Sequence, residues 1–134
     1  MRNGLLALSL CLPGAAMAAC PPVPEPLISL SFESRYADDD PSRSTLDEEA
    51  EAEAKEALET LDTFINDLST RTDTALTSNN AEEAACVMRA LATWANADAL
   101  AELKTQTVQL TIGSRIAAIA LIAAQVSPAS KPAD

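Results

Sequence analysis

The 134-residue chain contains no histidine, one tyrosine, one tryptophan and two phenylalanines, and its nine Lys and Arg face twenty Asp and Glu. Without histidine the usual general base near neutral pH is missing, together with a ligand that would help three cysteines build a zinc site. Proton abstraction would fall to carboxylates or to Tyr36, with nothing visible to shift their pKa values to that task. No basic patch interleaved with aromatics is present, which argues against nucleic acid as a partner. The formal net charge of −11 also opposes unspecific binding of any polyanion, so an anionic ligand has to be gripped by a few placed cations. No membrane span, metal or cofactor is expected.

Residues 1–19 read as an export signal. Arg2 supplies the positive end, Leu5 to Leu12 an apolar run too short for a bilayer, and Ala16-Met17-Ala18 the small-x-small pattern, with cleavage near Ala18-Ala19. The expected destination is the periplasm or the medium. Loss of Arg2 leaves 8 basic and 20 acidic residues, a net charge of −12. Cys11 leaves with the signal, and in an oxidising compartment Cys20 and Cys86 can pair in only one way, so a Cys20–Cys86 disulfide is predicted. Lipidation at Cys20, after Met17-Ala18-Ala19, is the alternative fate of that thiol.

The mature chain has room for one small all-α domain. Residues 20–43 divide into a proline-rich extended arm, where Pro21, Pro22, Pro24 and Pro26 forbid helix, a short apolar stretch from Leu27 to Phe32, and a polar flap loop. Residues 44–126 carry helical periodicity. Ser44 is the expected cap of a first helix reaching Thr77, with a bend near Ser69 to Thr74 because a straight rod would overrun so small a domain. Asn80, answered by Glu83, opens a second helix that turns Ala84, Val87, Met88, Leu91, Trp94, Ala95 and Leu100 inward. A third helix spans about Thr105 to Val126 and is apolar around nearly its whole circumference from Ile116 onward. Two upstream helices cannot surround it, so it calls for further helices, self-association or a partner protein. Residues 127–134 read as a disordered tail.

Chemistry concentrates at Arg35-Tyr36. A forked guanidinium beside the chain's one phenol is equipment for holding a carboxylate in an otherwise negative molecule. The structural alternative pairs Arg35 with Asp38 to Asp40 and packs Tyr36 under the first helix.

The ordered features Cys20-Pro-Pro, Leu30-x-Phe32-x-Ser34-Arg35-Tyr36, Arg43-x-Thr45-Leu46, Ala85-Cys86 and Ala92-x-Trp94-Ala95-x-Ala97-x-Ala99-Leu100 resemble the amino-terminal part of mannuronate-specific alginate lyases. The resemblance implies a secreted polysaccharide lyase whose long antiparallel helices form the first part of an α/α-barrel, or toroid. It implies an acidic polysaccharide, alginate or polymannuronate, cleaved by β-elimination. It also implies a substrate-binding role for Arg35 and Tyr36 in a flap over the site, and it agrees with the Cys20–Cys86 pair. Trp94 falls in the Trp-Ala segment of that pattern, but its spacing with Leu91 and Leu100 makes it core rather than sugar platform. Asn96 stands where resembling proteins carry a basic residue. The His, Asn, Arg and second Tyr that such a lyase uses belong to a region beyond the matched segment. No catalytic residue is therefore assigned, and this chain alone is expected to be inactive. The competing expectation is an exported, non-catalytic helical module that binds acidic polysaccharide or a partner protein.

Overall fold

The computed structural model describes residues 19–130. The expected signal, apart from Ala19, and the last four residues of the expected tail lie outside the described residues. The protein is all-α in character, with one short two-stranded ladder.

The arm runs extended along the segment that follows the second helix. Val23 and Leu27 pack against the core, while Leu30 and Phe32 enter it. Strand β1 (Ser29–Leu30) pairs in parallel with β2 (Glu102–Leu103), Ser29 opposite Glu102 and Leu30 opposite Leu103. Leu100, Glu102 and Lys104 donate their N–H groups to the carbonyls of Leu27, Ile28 and Leu30 at 2.8, 3.1 and 2.9 Å. The Trp94 indole donates to the Pro24 carbonyl at 3.1 Å, and Thr105 Oγ1 to that of Phe32 at 2.6 Å. Proline carbonyls remain good acceptors although proline nitrogens donate nothing, so this arm is anchored by what it accepts. The Cys20–Cys86 disulfide closes its amino end onto the second helix with a Cα–Cα distance of 5.3 Å.

Helix α1 (Glu48–Thr77) is one 30-residue rod, about 45 Å long, with no break at Ser69 to Thr74. The expected bend is absent although threonines crowd that stretch, with Thr72 Oγ1 buried and without a hydrogen-bond partner. Thr70, Thr74 and Thr77 return their hydroxyls to the carbonyls of Asn66, Thr70 and Asp73 at 3.0, 3.0 and 2.8 Å. The cap also differs from expectation. Asp47, not Ser44, accepts from the N–H groups of Glu49 and Ala50, since Ser44 is already committed to Asp40 through both its N–H and its hydroxyl. Glu48, Glu49 and Glu51 then occupy the first turn, where the helix dipole favours negative charge.

Helix α2 (Ala81–Asn96) is capped by Asn80, whose side chain accepts from Glu83 N–H, as its sequence predicts. Arg71 of α1 braces this corner by reaching Glu83 at 2.6 Å and Asp67 at 3.3 Å. The expected third helix is two elements, α3 (Gln106–Thr111) and α4 (Gly113–Ala129), with an offset at Ile112. Gly113, a poor helix former, starts the second piece. Helix α4 also runs three residues past Val126 and carries Pro128 in its last turn, where the missing donor removes a single bond.

Helices α1, α2 and α4 each pack against the other two. Leu61, Phe64 and Leu68 of α1, Val87 and Trp94 of α2, and Ile122 and Val126 of α4 fill the space between them, each large side chain contributing about 1.5–3 kcal/mol. Phe64 and Trp94 stack with ring centroids 3.9 Å apart and planes 5° from parallel. The trio does not enclose α4: Ile116 and Leu121 are 45% and 63% exposed, and Leu110 of α3 is 76% exposed.

Candidate functional site

The loop between β1 and α1 is closed on itself. Tyr36 forms an antiparallel bridge with Leu46, Ala37 N–H donates to the Thr45 carbonyl at 3.0 Å, and Asp47 N–H to that of Arg35 at 2.9 Å. At the tip, Asp40 accepts from the N–H groups of Ser42, Ser44 and Thr45 at 2.9, 3.0 and 2.8 Å, and from the hydroxyls of Ser42 and Ser44. Those donors, Ser42 first and then Thr45 and Ser44, hold the Asp40 carboxyl far below the usual carboxylate range. The knot also holds Arg43 in the left-handed region at φ 53°.

This loop borders a cavity of about 440 Å³ lined by Phe32, Glu33, Ser34, Arg35, Tyr36 and Arg43 from its own length. Ala54 and Leu58 of α1, Thr107, Leu110 and Thr111 of α3, and Arg115 of α4 complete the lining. The two residues singled out from sequence are therefore on one cavity. Arg35 lies 5.6 Å from the centre of the Tyr36 ring and 3.8 Å from Glu51. Its ion-pair partner is thus on α1 rather than among Asp38 to Asp40, and with its side chain 54% exposed the pair is weak and exchangeable.

Two arginines join Arg35 that sequence reasoning did not place there. Arg43 was visible only as part of a motif, and it makes no ion pair among the described residues. Arg115 forks onto Asp62, its Nε at 2.6 Å from Oδ1 and its Nη2 at 2.8 Å from Oδ2. That hydrogen bonding raises the Arg115 pKa above its ordinary value, so the guanidinium stays charged. A signal for it existed, because Arg115 is the one charged residue between Lys104 and Lys131.

Trp94 is absent from this cavity. It is 4% exposed and borders a separate space of about 290 Å³ lined only by apolar residues, which makes it a core residue as its spacing predicts. Arg89 Nη1 lies 3.0 Å from the Cys20 sulfur. Among the described residues, no three His, Cys, Asp or Glu are grouped to hold a metal ion, and no helix is long and apolar enough to cross a membrane.

In comparisons with known proteins, no family model matches the chain and no curated protein matches it. The functional reading accordingly rests on the residues and geometry of the cavity.

Proposed function

We propose that this protein binds acidic polysaccharide, alginate or polymannuronate, as a helical module built like the leading part of a mannuronate-specific alginate lyase, without completing β-elimination by itself. The observation that carries the reading is the shared cavity of Arg35, Tyr36 and Arg43 in a chain whose mean charge repels anions. Guanidinium forks match carboxylates, the tyrosine ring and hydroxyl suit a sugar face, and the Ser34, Thr107 and Thr111 hydroxyls suit sugar hydroxyls. A left-handed arginine at the cavity's edge is strain of the kind that gathers at binding sites.

The α/α-barrel architecture belongs to the same proposal. It draws support from the exposed apolar side chains Ile116 and Leu121 of α4, which suit coverage by additional helices. The disulfide agrees with export to the periplasm or the medium. The alternative of a protein-binding module rests on those same side chains. The non-catalytic part of the reading draws on the missing histidine, which leaves removal of the C5 proton of a bound uronate to Tyr36 or a carboxylate.

Calorimetric titration of the purified chain with oligomannuronate tests the reading. Binding is expected, and the double change Arg35→Ala, Tyr36→Ala is expected to weaken it about tenfold or more, as for loss of a charge-assisted hydrogen bond. Unchanged affinity in the double variant disposes of the site. Steady formation of unsaturated product, followed by its ultraviolet absorbance, would overturn the non-catalytic part.

A further inference from the structure

Both cavities that touch Arg35 also touch Arg115. The one beneath the loop holds about 440 Å³, and a second of about 500 Å³ continues along α1 past Glu51, Lys55 and Asp62. They share Arg35, Ala54, Leu58 and Arg115, so together they form one trough along a face of α1 that both arginines line. Each arginine is held by a carboxylate of that helix, Arg35 by Glu51 and Arg115 by Asp62. Glu51 and Asp62 are three helical turns apart, about 16 Å along the axis.

That span exceeds one pyranose ring. On the spacing of these two anchoring carboxylates, a single uronate is expected to engage one arginine and linked uronates both. At Arg115 the protein already supplies the group that a uronate would bring, a carboxylate bound by both Nε and Nη2 of the guanidinium. Asp62 keeps 43% of its side chain exposed, so it can return to water where it stands while a ligand carboxylate takes its place. Arg115 is the one charged residue that α3 and α4 bring to the trough, since no other charge lies between Lys104 and Lys131.

We propose that Arg115 is a second carboxylate-binding position for a linear polyuronate, and that Asp62 is its built-in competitor, displaced when the chain binds. The inference rests on the polyuronate reading and adds to it a minimum ligand length and an exchange step. Charge is conserved in that exchange: one carboxylate leaves the guanidinium as another arrives, and no proton moves.

The test compares mannuronate monomer with mannuronate tetramer, titrated calorimetrically into the full chain and into Arg115→Gln, Asp62→Asn and Asp73→Asn. Arg115→Gln is expected to weaken tetramer binding about tenfold while leaving the monomer unchanged. Asp62→Asn is expected to tighten tetramer binding about threefold, the scale of releasing one partly exposed ion pair. Asp73→Asn removes the same charge elsewhere on α1 and is expected to change neither. Asn at 62 keeps an oxygen acceptor for Arg115, and matching far-ultraviolet dichroism checks that the variant folds. A merely structural Asp62–Arg115 tie would predict no tightening in Asp62→Asn, and that result overturns the inference. So does an equal gain in Asp73→Asn, or an Arg115→Gln loss that is the same for monomer and tetramer. Arg35-dependent tetramer binding that ignores both trough variants defeats this inference alone; no binding of either sugar by the wild type defeats the polyuronate reading with it.

Discussion

Arg43 occupies a left-handed backbone conformation at φ 53°, which costs an L-residue with a side chain about 1–2 kcal/mol relative to glycine. The loop maintains it because Asp40 gathers the N–H groups on both sides, from Ser42 and from Ser44 and Thr45. Removing the side chain and removing the strain are therefore separable. Arg43→Gly is expected to keep or slightly raise stability, by no more than about 1 kcal/mol once the added freedom of the unfolded chain is counted. Arg43→Ala keeps the strain and gains nothing. Both are expected to bind oligomannuronate less tightly than wild type, because both lose the guanidinium from the cavity. Urea midpoints and titration of the two variants separate the effects, and equal wild-type affinity in both would remove Arg43 from the site. Asp40 itself adds a pH signature. Its folded pKa is depressed, so its contribution is complete above the ordinary value of about 3.9 and fades only as pH falls further, leaving the loop closed through mild acid.

Among the elements, the arm is the one whose place depends most on a single covalent bond. The Cys20–Cys86 disulfide closes a loop with a sequence separation of 66, worth about 4 kcal/mol at most in the chain-entropy account. Beyond it the arm is held by the Trp94 bond to Pro24, the β1–β2 ladder and burial of Leu30 and Phe32. Reduction, or Cys86→Ala, is expected to lower the urea midpoint and to speed hydrogen exchange at β2 and at Leu100, whose N–H donates to the arm. Exchange in the middle of α1 should change least, and uniform acceleration across all helices would contradict this hierarchy. Element by element, the sequence was legible where side chains carry the signal. The long apolar face of α1 and the Asn80 cap of α2 could be read directly. The Asp47 cap could not, because a contact internal to the loop, Asp40 with Ser44, takes the competing serine away. Nor could β2, a two-residue ladder made by backbone groups. The adjacency of Arg35 and Tyr36 marked one end of the site, whereas Arg115 was hidden in a segment read for its apolar character.

At the scale of the whole molecule, the acids and the apolar surface are segregated. Acidic residues crowd the loop and the outer side of α1, while no acid lies between Lys104 and Lys131. A net charge of −11 in the full chain makes the folded state repel itself and repel an anionic ligand, yet the ligand's direct partners are cations. Salt should therefore act in opposite directions on folding and on binding. Raising ionic strength from about 0.05 M to about 0.5 M shortens the screening length from roughly 14 Å to roughly 4 Å. Repulsion among Glu48, Glu49, Glu51, Glu53, Glu56 and Glu59 along α1 is then relieved, and the urea midpoint is expected to rise. Over the same range the affinity for oligomannuronate is expected to fall, because attraction between the trough arginines and the ligand carboxylates is screened as well. The exposed apolar side chains Leu110, Ile116 and Leu121 supply a distinct route by which salt could stabilise the fold, through self-association. Protein concentration separates the two: screening raises the midpoint equally at every concentration, whereas association makes it climb as concentration does. Salt also screens the repulsion between the acidic protein and the ligand, so the arginine contribution is read against Arg35→Ala. The same salt dependence in wild type and that variant would mean that the arginine does not grip carboxylate and that the trough loses its electrostatic basis.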